Sequence, residues 1–425
     1  MERRTPLLSL LDGVVSRPIR YDPAPGEPPV MVIQARYPRS ANRSGKKIRW
    51  EAGSGTGLSA SEALVPALVE ALERRAASSV DRDRLKIATA AELGEYALPL
   101  ESLPKCSDRE MRSRRCGLSK PVMDQPMRWI EGTSLLTGRN IAIPHSLVYL
   151  RTDPLAPHER LQVPISTGLA AHNNLARAIS CALLEVIERD ALSIMWLQRI
   201  PGVRVDPFAR EDWELEWLKQ RSARLEYHFW EISTDLPVSV VCCLRRSPDH
   251  ETAHSLMTCA ASLDIGAALT KAARDISARA IGFRSERSLP ANLEDFTRLH
   301  HGATYMAAKI RSKAFDFMFG SKGDSHDTKV DWPQLKQNTP EEELGYLMGA
   351  LRERGLDAYA VDLTTPEAAT VGVSVVRVLV PGLQPLPYVY AARYLGHPRL
   401  YQVPRLLGLK VYGEHEVNTW PLPFA

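Results

Sequence analysis

Apolar and polar positions along the chain follow two different periods. MVIQARY (31–37), after a Pro-rich lead-in, predicts a strand. Residues 59–79 switch to helical spacing, with Ala, Leu and Val dominant and charges three or four apart. Pro66 falls inside that pattern, so the helix either kinks there or starts there with Pro in its first turn. MRWIEGTSLLTGRNIAIPHSLVYL (127–150) alternates like a hairpin turning at Thr137-Gly138. Longer helices are predicted over about 175–198 and 266–284. LPVSVVCCLRR (236–246) and AATVGVSVVRVLVP (368–381) are apolar, β-branched runs that predict strands. Between them lie an extended Pro-rich lead-in, YDPAPGEPP (21–29), a basic loop or small element at 101–120, and a turn-rich surface loop at 319–342. Helices and strands alternate without a regular βαβ period, which predicts a mixed α/β (α+β) fold. Residues 1–50 form the lead-in and strand, and 51–425 one domain, with room for a subdomain or insertion at about 205–345.

The chain repeats itself. ALVEALERRAAS (67–78) and ALLEVIERDALS (182–193) agree at seven of twelve positions, and Thr-Gly-Leu precedes each copy, at 56–58 and 167–169. The spacing from Thr to the repeated Ala differs by four residues, which reads as a difference in loop length. In each copy two Glu and an Arg stand at i, i+3 and i+4 on one helix face: Glu70, Glu73 and Arg74, then Glu185, Glu188 and Arg189. A single such triplet reads best as a solvated ion pair stabilising its helix by a few tenths of a kcal/mol. Two copies embedded among Ala, Leu, Val and Ile point to a shared cleft. Four carboxylates brought together repel one another without cations, and hard divalent ions such as Mg²⁺ bind oxygen ligands and bridge to phosphates. The spacing therefore predicts an Mg-nucleotide site between two repeated helices. No GxxxxGK[ST], HRD or DFG occurs, so the site is neither a P-loop nor a protein-kinase site.

Composition narrows the class further. The 425 residues carry 54 basic and 50 acidic side chains, a net charge of +4 that gives no reason to invoke nucleic acid. The basic set is mostly Arg, the better partner for phosphate and carboxylate. No apolar run approaches the ~20 residues of a membrane span, and no signal peptide is legible. Six Cys without a CxxC pair argue against a disulfide framework or structural zinc, so a cytoplasmic protein is expected.

TGLAAHNNLARAISCALLEVIERDALSIMW (167–196) resembles the central signature of the YcaO superfamily, ATP-dependent enzymes that modify peptide backbones. SGTGLSASEALVPALVEALERRAAS (54–78) resembles that family's first ExxER helix, and the 129–150 hairpin, ARYLGHPRLYQVPRLLG (392–408) and terminal WPLPFA resemble its azole-forming branch. The resemblance implies an ATP-binding domain of mixed α/β fold, with ATP and Mg²⁺ between the ExxER helices. It implies phosphorylation of a backbone amide in a ribosomally made precursor peptide, most readily for cyclodehydration of Cys, Ser or Thr to azoline. Thioamide or amidine formation are the other outcomes. By motif, Glu70, Glu73, Glu185 and Glu188 are Mg²⁺ ligands, and Ser54, Arg74, Asn173 and Arg189 contact ATP. A leader-binding partner protein or a second YcaO chain is implied, and a homodimer is expected.

This chain departs from the family pattern in places. Thr56 stands where the first loop usually has Lys, and Arg177 where an acid follows the central Asn. ALTKAARDISARA (268–280) gives Asp275, Ala278 and Ala280 for the usual Glu, Gln and Arg, leaving Arg279 or Arg284 to substitute. These departures support a second reading, a non-catalytic YcaO-like subunit that binds peptide and activates a paralogue. His172 is a weak candidate for a general base. Cys181, Cys242, Cys243, Trp213, Trp217 and Trp230 read as packing. Arg109, Arg112, Arg114 and Arg115 read as a solvated loop, with docking of an acidic leader as the alternative.

Overall fold

The computed structural model describes residues 11, 13–38, 50–151, 154–211, 214–232, 234–283, 288–320 and 339–424. Three antiparallel sheets surround the two repeated helices. The first sheet orders β1 (Ile19–Tyr21), β2 (Met31–Pro38) and β3 (Trp50–Gly57) side by side, so the lead-in pairs with the strand entering the first repeat. Its buried face, Ile33, Ala35 and Tyr37, packs on Ala63, Ala67, Leu68 and Ala71 of α1 (Ala60–Ala77). Pro66 lies inside α1, which begins at the cap Ser59.

The second sheet follows the order β4 (Lys86–Ala88), β5 (Met127–Ser134), β12 (Tyr359–Asp362), β13 (Ser374–Leu379) and β7 (Leu169–His172). In addition, β6 (Asn140–Pro144) pairs with β5. The predicted hairpin is present as β5–β6, but residues 145–148 form a helical turn after Pro144. Likewise Thr365 caps a helical turn at Pro366–Thr370, so β13 starts later than the apolar run suggested.

β7 leads into α2 (Leu175–Gln198), the central helix, much of it buried on all sides. The third sheet, β8 (Val203–Val205), β9 (Glu226–Glu231), β10 (Ser239–Arg246) and β11 (Ser255–Ser262), lies between α2 and α3 (Ile265–Gly282). Cys242, Leu244, Met257 and Cys259 face α2, while Val241, Cys243 and Ala260 face α3. A strand covered on both faces needs apolar residues at every position, which is why β10 reads as an unbroken run. Met306 of α4 (Leu299–Ala307) joins β10 and β11 in the core around α2.

Thr339 and Glu342 form a capping box with Pro340 at the first helical position. α5 (Pro340–Glu353) therefore starts inside the stretch read as a loop, and 321–338 lie outside the described residues. After α6 (Arg399–Leu406) the chain returns to the site. Asn418 donates to Trp196 O (3.0 Å), and Phe424 bridges to Met257 of β11.

Candidate active site

The strand end, the cap and the helix recur at a shift of 115 residues: β3 ends at Gly57 and β7 at His172, and α1 starts at Ala60 and α2 at Leu175. Ser59 caps α1 by accepting from Glu62 N, and Asn174 caps α2 by accepting from Arg177 N. Gly53 of β3 lies against α1, and Gly168, in the turn before β7, lies against α2 and β13. A Cβ on Gly53 would lie 2.2 Å from Ala71 N, and one on Gly168 3.0 Å from Val186 and 2.2 Å from Val378 O. The shared Thr-Gly-Leu is therefore offset along the chain between the copies, and the four-residue difference in spacing is no difference in loop length.

Close approach of the preceding chain to each helix builds a similar clamp twice. Ser54 N–H donates to Glu70 Oε2 (2.7 Å), and Gly168 N–H to Glu185 Oε2 (3.0 Å). Arg74 spans Glu70 (3.0 Å) and Glu73 (2.6 Å), and Arg189 spans Glu185 (3.1 Å) and Glu188. Glu73 is 9% exposed and Glu188 1%, so the acidic stripes are not solvated faces. Burial pushes the Glu73 carboxyl up to about 8; Arg74 and Arg377 oppose this and Glu70 and Glu185 add to it. Glu188 Oε2 also accepts from Ala261 N (3.0 Å), tying α2 to β11.

A family model described as YcaO cyclodehydratase, ATP- and Mg²⁺-binding, matches residues 54–384. The chain belongs to the YcaO family. An uncharacterised protein of Methanothermobacter thermautotrophicus is 26% identical over 336 residues, 78% of this chain and 81% of that one. Among solved structures, a heterocyclase in complex with substrate and cofactor has a TM-score of 0.77 at 21% identity, covering 99% of this chain. This chain spans 58% of that heterocyclase's length. YcaO from Methanopyrus kandleri bound with AMPPCP and Mg²⁺ has a TM-score of 0.63 at 20% identity, covering 91% of this chain and 90% of that one. At these identities the solved structures establish the fold.

In this YcaO chain the cluster between the helices is larger than the repeat foretold. Lys271 Nζ of α3 stands 3.5 Å from Glu188 Oε2. Asp275 is raised by burial, against the pull of Lys271 and Arg279, and Arg279 is drawn down to about 10 by burial, against the pull of Asp275. Arg377 of β13 is 4% exposed and likewise drawn down to about 10 by burial, with Glu185 opposing. Asp275 brings the acids to five, with Glu70, Glu73, Glu185 and Glu188. Arg74, Arg189, Lys271, Arg279 and Arg377 make five cations. Phe424 stacks under two of them, 4.3 Å from Arg189 and 4.8 Å from Arg279.

Beside the cluster opens a cleft of about 640 Å³ lined by Ser54, Gly55 and Thr56 of β3 and by Lys271, Arg274 and Asp275 of α3. Lys271 thus brings an ammonium to the cleft wall that Thr56 lacks. Among the described residues no three His, Cys, Asp or Glu side chains form a ready metal cage, and each Glu of the repeats pairs with the Arg of its own helix. The donor chemistry nonetheless fits an Mg-nucleotide. The carboxylate oxygens are hard ligands, and buried Nε atoms of Arg274 and Arg279 have no acceptor in the protein.

The remaining sequence candidates lie at the edge. Arg177 pairs with Glu343 of α5 and is neutralised there. His172 Nδ1 accepts from Asn174 N (3.1 Å), and burial, with Arg177 adding, lowers its pKa, so it is engaged in the turn before α2. Asn173 is exposed in that turn, whereas Asn174 is the cap. Arg109 and Arg115 are committed to Glu414 and to Glu294 and Asp295, and Arg284 and Trp213 lie outside the described residues. Sequence reasoning missed Arg377 and Lys271. The legible signals were one Arg amid VSVV and VLVP, and one Lys at helical spacing from Asp275.

Proposed function

We propose that this YcaO protein uses ATP to activate a backbone amide of a ribosomally made precursor peptide, leading to azoline formation at Cys, Ser or Thr. The duplicated clamp of two Glu and one Arg carries this reading. Glu70, Glu73, Glu185 and Glu188 are the residues to hold Mg²⁺, and Arg74 and Arg189 the residues to turn toward phosphate oxygens. Bound Mg²⁺ supplies charge neutralisation between those carboxylates and the phosphates. Ser54 and Lys271 line the cleft for the rest of the nucleotide. The substrate amide oxygen attacks the γ-phosphorus and ADP leaves. The neighbouring thiol or hydroxyl then loses its proton and adds to the amide carbon, and the oxygen departs as phosphate with loss of the amide proton. The protein's part is positioning and charge stabilisation, as in other phosphoryl transfers.

A leader-binding partner or second YcaO chain belongs to the proposal, since azole-forming relatives obtain peptide recognition from such a domain. The reading as a non-catalytic subunit rests on Thr56, Arg177, Ala278 and Ala280. The five balanced acids and bases, with Lys271 on the cleft wall, favour catalysis over it. Incubation with ATP, Mg²⁺ and a precursor peptide encoded beside the gene separates the outcomes by mass. Azoline formation loses 18 Da per ring with one ADP released. A gain of 16 Da with sulfide present means thioamide. An unchanged peptide and no ADP, with the partner protein present, means the non-catalytic reading.

A further inference from the structure

Sulfur atoms converge in the basic segment 101–120, and none of their residues lines the nucleotide cleft. Cys106, Met111 and Cys116 follow one another at five-residue intervals. The short helix Asp108–Arg112 folds them onto one apolar patch with Val389 and Ala392. The thiols of Cys106 and Cys116 are hydrogen-bonded, and Cys116 Sγ lies 3.9 Å from Met111 Sδ. Two sulfurs bound in a trigonal plane to one metal ion at ~2.3 Å are ~4.0 Å apart. Met111 and Cys116 are already at that separation.

The surroundings favour thiolates and hold them in place. Each thiol sulfur accepts a backbone N–H, Cys106 from Tyr394 and Cys116 from Leu118. Donors aimed at sulfur favour the charged form, which is the form that binds metal. Tyr394 holds a left-handed conformation (φ 59°), unfavourable for an aromatic residue. Its neighbours Arg393 and Leu395 donate their N–H groups to Glu110 (2.5 and 2.9 Å), while the N–H between them serves Cys106. Gly396 packs so closely that a Cβ there would come within 2.6 Å of Cys106 O. Cys116 is 5% exposed, whereas Cys106 and Met111 are half-buried and open a path from solvent.

We propose that Cys106, Met111 and Cys116 form a binding site for a soft monovalent ion, Cu(I), with two thiolates and one thioether as ligands. Thiolate and thioether donors select Cu(I), whereas zinc takes four ligands from Cys, His, Asp and Glu. Among the described residues no third side chain of those types completes a metal-binding group with the two thiols. Binding one Cu(I) releases the two thiol protons to solvent and changes no oxidation state. Gln384 donates to the carbonyls of Arg393 and Tyr394, and its own N–H donates to Asp190 of α2. An ion held by Cys106 therefore braces the C-terminal segment against the central helix.

The test uses the full chain, reduced and kept anaerobic, with Cu(I) in competition with bicinchoninate. One Cu(I) per chain should be retained, and the thermal midpoint should rise on binding. Met111→Leu, which keeps the apolar volume, should weaken Cu(I) binding at least tenfold, and Cys106→Ser should abolish retention. Cys181→Ser, which removes the exposed thiol of α2, should change neither. No Cu(I) retained by the reduced protein, equal binding by Met111→Leu, or displacement of bound Cu(I) by Zn²⁺ would each overturn the site. A mass loss of 2 Da with glutathione disulfide, together with no Cu(I) retention, would overturn it in favour of a Cys106–Cys116 disulfide. Each of these results leaves the nucleotide reading standing.

Discussion

Glu70 and Glu185 are half-shielded and take one backbone N–H each, whereas Glu188 is buried and joins two elements through Ala261 N. The four glutamates should therefore respond differently to substitution. Glu70→Gln and Glu185→Gln should each weaken Mg-AMPPCP binding at least tenfold, about 1.4 kcal/mol, with little change in unfolding midpoint. Glu188→Ala should lower stability as well, by about 2–4 kcal/mol, because it strands Arg189 and the Ala261 N–H. Calorimetric titration and urea unfolding of the same variants separate the two effects.

Glu159, away from the site, shows the same physics in simpler form. Burial would raise its carboxyl, but hydrogen bonds from Arg128 (2.6 and 2.9 Å) and from the N–H groups of Ala156 and Arg128 outweigh this and lower it to about 2. A carboxyl depressed in the folded state adds stability that is full above its unfolded pKa near 4.5. That stability is lost as pH falls toward 2. The unfolding midpoint of wild type should exceed that of Glu159→Gln at pH 6, and the gap should close between about pH 4.5 and 2.

At the scale of elements, α2 is fixed at both ends of its buried half. Asp190, fully buried and next to Arg189, receives both arms of Arg399 from α6 at 2.7 Å, and Arg399 also reaches Asp235 at 2.8 Å. The C-terminal motif thus sets where the second clamp stands. Arg399→Ala leaves a buried carboxylate unpaired and should cost about 3–5 kcal/mol. Adding Asp190→Ala should recover part of that loss, and chemical denaturation of the four proteins of the cycle checks it. The clamp helices were legible in the sequence because apolar period and charge spacing agree over eighteen and twenty-four residues. The helix alignment was legible too, but the offset of Thr-Gly-Leu was not a difference in loop length: from strand end to helix start the two copies have the same interval, Gly57 to Ala60 and His172 to Leu175. Arg377 and Lys271 were not legible, since they come from β13 and α3, which only tertiary packing brings beside the repeats.

Across the whole molecule, three antiparallel sheets bring opposite ends of the chain to one cluster. The lead-in strand pairs with β3, and Phe424 lies beneath Arg189 and Arg279. That stack holds two guanidinium groups in place before any ligand arrives. Phe424→Leu keeps most of the apolar volume but removes the π face, so it should lower Mg-AMPPCP affinity about three- to tenfold with a smaller change in thermal midpoint. An unchanged affinity would mean that the terminal ring only packs. No helix among the described residues is long and apolar enough to cross a membrane.

Titrating AMPPCP into the protein by calorimetry, with and without Mg²⁺, reaches the core of the proposal in one experiment. Binding of one nucleotide per chain that requires Mg²⁺ and is lost in the Glu70→Gln, Glu185→Gln double variant is the expected result. No binding, or binding indifferent to Mg²⁺ and to both substitutions, would contradict a nucleotide site between the repeated helices.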